Sequence, residues 1–369
     1  MKISKLIPTI KDAIWGGTTL KEKYGKKTDN ERIAETWELS FDEKNPCYLE
    51  DGTPLYKAVT QKELGKRRKD FERFPMLIKL IDAKSDLSIQ VHPNDYYAKK
   101  MGAEYGKNET WYIVSAEEGA GVYVGFKRDV TREEVEEAIK NNTIVSLLNF
   151  RKVKSGDSIC IPPGTVHAIG KGCLIYEIQQ NCDITFRVYD YDRTDANGNK
   201  RELHVAQALD VMDFTAYNPK PIAIKSDGRV VFATHRCFTA GTMKIEGRRI
   251  CYTDKVSFKC YTCIEGEGNV EDIYFKAGDT FFVPASYGRY AIYGYSKLIV
   301  AEMRAYIYNA EFLEEGGFVF ELLDNKNRVL ASHKIADIFP EDVEKVDEFT
   351  YEVMQKALSK VHLSPRQLK

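Results

Sequence analysis

Two histidines, one carboxylate and one amide are the side chains whose types and spacing most directly imply chemistry. Gln90 and His92 lie two residues apart in Ser88-Ile-Gln-Val-His-Pro-Asn94. Alternation along a strand sends both side chains to one face. Glu109 opens a second strand-like run, Glu109-Thr-Trp-Tyr-Ile-Val114. His167 closes the pattern Gly156-x5-Pro162-x-Gly164-x2-His167. There, Gly156-Asp157 makes a tight turn, Ile159–Ile161 forms a strand, and Pro162-Pro163-Gly164 reverses the chain so that His167 begins the next strand. Two imidazoles, a carboxylate and an amide oxygen suit Zn²⁺ with a position left for water or substrate. Fe²⁺ or Mn²⁺ would accept the same set. Either histidine alone reads as a surface or satisfied core residue; the four residues together read as a metal centre. The other histidines, at 204, 235, 333 and 362, lie in no comparable context.

Such a centre needs a rigid frame, and most of the chain supplies short β-branched and aromatic runs separated by Gly, Pro, Asn and Asp. That is the pattern of a mainly β protein, a sandwich or barrel. The 22 Tyr and 18 Phe suit strands that fill a barrel interior. Strands are expected at 77–83, 88–92, 109–114, 121–125, 158–161, 174–179 and 185–189. Helices are few. One opens at Thr131, with Glu134 placed for a capping box and Val135, Ala138 and Ile139 as its apolar face. A second spans 204–212. A third starts near Pro340 and carries Val346, Phe349, Val353, Ala357 and Val361 on one stripe.

An internal repeat divides this frame. Lys154-Ser-Gly-Asp-Ser-Ile-Cys-Ile-Pro162 matches Lys276-Ala-Gly-Asp-Thr-Phe-Phe-Val-Pro284, as two copies of one barrel would. The acidic Gly-rich segments Glu117–Gly121 and Glu265–Gly268 match more loosely. Arg289 stands in the second copy where the first has His167, so the second copy cannot repeat the chemistry of the first. Cys260 and Cys263 form a CxxC without a second pair, inside a run that reads as a strand. Scattered cysteines in so long a chain are not a disulfide framework.

At 369 residues the chain exceeds the usual size of one core, so two packed units and an appendage are expected. The divisions fall at 1–220 for a metal-binding domain, 221–310 for a degenerate barrel, and 311–369 for a C-terminal extension. In the extension, Gly316–Leu330 reads as a hairpin turning at Asp324–Asn327. Lys plus Arg at 54 balance Asp plus Glu at 55, so no bulk field draws the chain to nucleic acid or anionic lipid. No signal-peptide core or membrane span is legible, and the cytoplasm is the expected location.

The His167 pattern is the second cupin motif, and the chain resembles the type I phosphomannose isomerases in their short bacterial form. The matching stretches include Ile14–Gly17, Glu35-Thr-Trp-Glu38, Phe74–Lys79, Leu87–Asp95, Glu109–Tyr112, Pro163–Gly170 and Gln179–Arg193. The segment Gln90-Val-His-Pro93 is specific, because most cupins use His-x-His there. Cys182 departs from the usual Ser. The resemblance implies cupin (jelly-roll) β-barrels, one metal-binding and one degenerate. It implies interconversion of mannose 6-phosphate and fructose 6-phosphate through a cis-enediol. Gln90, His92, Glu109 and His167 match the ligands of one Zn²⁺ per chain. Arg187 matches a catalytic arginine, Lys107 and Lys79 match pocket lysines, and Asp183 and Glu177 match polar pocket residues. Lys107 and Asp183 are accordingly expected in catalysis, and Lys79 and Glu177 in substrate binding.

The chemistry agrees, since a Lewis acid or a cation such as Arg187 would stabilise an enediolate oxygen. The base is left open between a metal-bound water, Lys107, Asp183 and Glu177. Trp15, Trp37 and Trp111 could stack on sugar, Trp15 being the substrate-binding candidate, although core packing is the commoner role. The competing reading is a metal-holding sugar-binding or regulatory cupin without turnover, against which Arg187 argues. An iron cupin oxygenase is disfavoured by Gln90. The partner is a small sugar phosphate, and a homodimer through the degenerate barrel is left open.

Overall fold

The first barrel is organised by a strand that is apolar on both faces. Met76–Ala83 is buried at all eight positions, and such a run is stable only inside a sheet covered on both sides. It lies between Cys173–Gln180 and Glu35–Leu39 in a six-stranded sheet ordered Ser158–Ile161, Glu109–Ala116, Cys173–Gln180, Met76–Ala83, Glu35–Leu39, Thr9–Lys11. A five-stranded sheet runs Phe186–Tyr189, Ile89–Val91, His167–Ile169, Gly121–Phe126, Leu148–Lys152. This computed structural model describes residues 1–194, 198–218, 223–226, 228–303, 307–312, 318–323 and 329–335.

Antiparallel register fixes which side chains meet, because residues directly opposite share a face. In the six-stranded sheet, Trp111, Glu177 and Lys79 form one cross-strand row. In the five-stranded sheet, Arg187, Gln90 and His167 form another. An apolar cluster that includes Ile81, Trp111, Ile113, Val122, Ile159 and Ile175 fills the space behind them. A second cluster packs the helices Arg132–Lys140 and Val205–Val211 against the barrel, through Val135, Ile139, Ala208 and Leu209. The first helix starts as its sequence predicts, with the Thr131 hydroxyl accepting from Glu134 N–H at 3.2 Å. The Glu134 carboxylate turns instead to Arg128. A full capping box forms at Thr60 and Glu63, which begin the short helix Gln61–Leu64.

Contacts divide the chain into two units. One comprises Pro8–Glu38 and Pro75–Pro221; the other comprises Met1–Ile7, Leu39–Phe74 and Ile222–Lys369. The change near residue 221 is close to the expected boundary, but the 1–220 segment is not one continuous unit. Ser4–Ile7 pairs with Thr280–Val283, so backbone hydrogen bonding carries the N-terminal strand into the second unit. The large sheet there includes Phe238–Thr253, Gly288–Glu302 and Lys259–Val270 side by side.

The repeat is reproduced atom for atom at its turns. Gly156 and Gly278 both have φ 95°. Asp157 accepts from Lys154 N–H at 3.0 Å, and Asp279 from Lys276 N–H at 2.9 Å. The strands that follow are Ser158–Ile161 and Thr280–Val283. The looser match fails, because Glu117–Gly121 is a turn whereas Glu265–Gly268 lies within the strand Lys259–Val270. Cys260 and Cys263 are buried on that strand, and Cys263 Sγ faces the Glu265 carbonyl at 3.4 Å. Phe318–Leu323 and Val329–Ile335 pair as the expected C-terminal hairpin. Its turn and the helix expected from Pro340 lie outside the described residues. Among the described residues no helix is long and apolar enough to cross a membrane.

Candidate metal centre and active site

His167 is aimed by the turn before it. Gly164, at φ 88°, donates its N–H to the His92 carbonyl at 2.9 Å, joining the reversing turn to the Gln-Val-His-Pro segment. Pro93 cannot donate to a ladder, and the strand Ile89–Val91 ends before it. His92, Glu109 and His167 are buried, and their ligand atoms all lie within 4.8 Å of one another. Glu109 comes from the six-stranded sheet, His167 and Gln90 from the five-stranded one. Gln90 brings its amide to 3.3 Å from His167 Nε2.

Each imidazole is fixed from behind by a backbone carbonyl. His92 Nδ1 lies 3.0 Å from the Ile184 oxygen and His167 Nδ1 2.8 Å from the Thr165 oxygen. A carbonyl only accepts, so Nδ1 carries the hydrogen and the Nε2 lone pair points inward. Burial holds His167 down to about 4 and His92 well below its ordinary range; both rings are neutral at neutral pH. With Glu109 ionised, His167 Nε2 faces its Oε1 atom at 3.3 Å as one acceptor facing another, and that oxygen accepts no hydrogen bond. Such an arrangement suits a cation. The donor set fits a divalent metal, with two neutral imidazoles, a carboxylate and an amide that can turn its oxygen inward.

Beyond these four residues runs a row of alternating charge. Lys107 contacts Glu109 directly and donates to His92 Nε2 at 3.0 Å. Glu177 Oε1 lies 3.8 Å from Lys107 and 3.6 Å from Lys79, and Lys79 lies 3.4 Å from Glu35. Trp111 Nε1 donates to Glu177 at 2.9 Å. Burial and then the Glu177 charge raise Glu109, which Lys107 only partly offsets. Burial also opposes charge on Glu177, but Lys107 and Lys79 outweigh it and hold that carboxyl below its usual range.

The remaining expected residues are distributed less uniformly. Arg187 is half-buried in the row of Gln90 and His167, donating to Ser88 Oγ at 3.3 Å and the Glu202 carbonyl at 2.8 Å. Asp183 is exposed and is not part of the buried row. Trp15 packs in the apolar cluster with Ile81 and Leu87. Arg193 and Arg201 both pair with Asp190 close to Arg187, whose own charge is disfavoured by burial and by Arg201.

Residues 3–119 match the family described as phosphomannose isomerase type I, catalytic domain. Mannose-6-phosphate isomerase ManA of Bacillus subtilis is 36% identical over 311 residues, covering 80% of this chain and 97% of that protein. The chain belongs to the type I phosphomannose isomerases. The crystal structure of the mannose 6-phosphate isomerase from Bacillus subtilis aligns with it at a TM-score of 0.73 and 34% identity, over 82% of this chain and 99% of that one. A mannose 6-phosphate isomerase bound with zinc and yttrium shares the fold, with a TM-score of 0.66 at 17% identity over 82% of this chain and 100% of that one.

In this phosphomannose isomerase, sequence reading passed over Glu35, Ser88, Asp190 and Arg201 as site residues. Glu35 and Ser88 stood inside the matching stretches, but no spacing rule ties Glu35 to Lys79, which is brought to it by neighbouring strands. The guanidinium group of Arg193 lay at the end of the longest matching stretch and was visible only as part of that pattern.

Proposed function

We propose that this phosphomannose isomerase interconverts mannose 6-phosphate and fructose 6-phosphate between its two sheets, with one Zn²⁺ held by Gln90, His92, Glu109 and His167. The observation that carries the metal assignment is the pair of inward Nε2 lone pairs facing the Glu109 carboxylate. Zinc bound there would supply a Lewis acid for the oxygens next to the carbon that loses its proton.

This chain's own residues do the rest. Lys107 and Glu177, buried side by side, are the groups placed to carry the proton between C1 and C2. Arg187, in the row of Gln90 and His167, is aimed at charge that develops on the enediolate. Arg193 and Arg201 beside it give a phosphate dianion its counter-charge. Lys79 and Glu177 bind the sugar at the inner wall. The buried position of the row keeps bulk water from the exchanging proton.

The test is turnover of mannose 6-phosphate to fructose 6-phosphate in a coupled assay, with and without chelator, beside a metal analysis of the purified chain. Activity abolished by chelator and restored by zinc, with one equivalent of zinc bound, is expected. Absence of turnover by the zinc-loaded protein overturns the reading and leaves a sugar-binding cupin.

A further inference from the structure

The outer end of the charge row has a residue for which the reaction so far provides no role. Glu35 begins the strand Glu35–Leu39 and is only partly exposed, its side chain at 20%. One carboxylate oxygen, Oε1, accepts from the Trp37 indole N–H at 3.0 Å. The other, Oε2, faces Lys79 Nζ at 3.4 Å. Lys79 also lies 5.2 Å from the centre of the Trp37 ring. The inner end repeats the device, with Trp111 holding Glu177 as Trp37 holds Glu35. The Oε1 atom of Glu177 lies 3.6 Å from Lys79 and 3.8 Å from Lys107 and accepts a hydrogen bond from neither, while Lys107 contacts Glu109 directly. Of the two carboxylates beside Lys79, Glu35 is the nearer, at 3.4 Å against 3.6 Å for Glu177.

We propose that Glu35 is a positioning residue for the sugar phosphate: oriented by Trp37, it anchors the Lys79 ammonium at the substrate wall. This rests on the reading of Lys79 as a substrate-binding group. Glu35 shares the neutralisation of Lys79 with Glu177, and its bond to the Trp37 indole makes it a rigid point of attachment. Preorganising a cation in this way strengthens its contact with an anionic ligand.

The charged groups facing Lys79 are Glu35 from its neighbouring strand and Glu177 from the strand on the other side, with Glu109 further in. Burial opposes charge on Lys79, and these three carboxylates together more than offset it. Removing Glu35 therefore moves the deprotonation of Lys79 to lower pH.

The experiment is steady-state kinetics of zinc-loaded Glu35→Gln, Glu35→Asp, Lys79→Met and the double variant, each over a pH series. For Glu35→Gln, KM is expected to rise on the order of tenfold with kcat within about twofold, and the alkaline limb to move to lower pH. Glu35→Asp restores most of KM, and the double variant is no worse than Lys79→Met, because the two residues act as one unit. A Glu35→Gln enzyme with unchanged KM and alkaline limb overturns the proposal, even if it melts earlier. So do additive effects in the double variant. If Lys79→Met itself keeps the parent KM, the substrate-binding reading of Lys79 has failed instead.

Discussion

The two barrels of this chain start from the same turn and end with opposite interiors. By register, Lys259 occupies in the second barrel the place of Glu109 in the first: Glu109 pairs with Ile161, and Lys259 with Val283, 122 residues later. Tyr261 likewise takes the place of Trp111. The sequence offset puts Arg289 at the position of His167, yet Arg289 is exposed, and its neighbour Tyr290 is the buried residue. A slip of one residue exchanges the faces of a strand. In the first barrel Trp111 meets His167 edge to face at 5.4 Å between ring centres. In the second, Tyr261 meets Tyr290 in the same manner at 6.4 Å, their hydroxyls 2.5 Å apart. Close by, Arg229 and Glu302 form a buried ion pair at 2.6 Å. One frame thus gathers two imidazoles around a carboxylate oxygen that accepts no hydrogen bond, and the other holds an ion pair and a pair of tyrosines that satisfy one another.

This comparison can be broken first by deleting the paired positions. His167→Ala should lower kcat/KM by at least roughly a thousandfold and abolish stoichiometric zinc binding, since it removes a proposed ligand. Arg289→Ala should leave kcat/KM within about twofold, because its side chain projects to solvent. Comparable losses in both variants would give the second barrel a part in the reaction.

Arg229→Met tests whether the second barrel stabilises itself internally. Leaving Glu302 buried without its partner should cost about 3 kcal/mol of stability in urea unfolding. Activity per folded molecule should remain at the parent level; a fall at full folding would contradict the division of labour.

A smaller effect should come from pH. In metal-free protein the buried imidazoles stay neutral, His167 down to about 4, while an unfolded histidine takes up its proton below about 6.5. Histidine-linked stability is therefore fully present above about 6.5 and is lost as pH falls toward about 4. His92, shifted further down for the same reason, adds to the loss. Glu109, raised by burial and Glu177, opposes it and offsets one of the two histidines. Urea midpoints of chelated protein across this window should fall, and His167→Ala should flatten the slope. An unchanged midpoint in the parent would contradict the buried, neutral assignment of the pair.

Much of the site was legible before folding because its residues are tied to local geometry. The turn Gly156-Asp157, the reversal at Pro162–Gly164 and the Gln-Val-His-Pro strand end each specify a backbone path within a few residues. The expected strands appeared within two residues of their expected ends, some extended, as at Met76 and Gln180, and two shortened, to Ile89–Val91 and Phe186–Tyr189. Trp15 was harder to place, since an indole suits both a sugar face and a core, and only its neighbours decide. Asp183 matched a motif yet finished exposed, because a match constrains the chain path more than the direction of one side chain.

Residue types and local spacing determined the strands, the turn repeat and the candidate metal-binding side chains, for those depend on φ, pleat and hydrogen bonds between near neighbours. Tertiary structure alone decided that Ser4–Ile7 joins the second unit, that Tyr290 instead of Arg289 enters its core, and that Glu35, Lys79, Glu177 and Lys107 form one row. Each of those outcomes rests on cross-strand register between segments far apart in the chain. Register is settled by burying whole faces at once, a collective property that no short stretch of sequence contains.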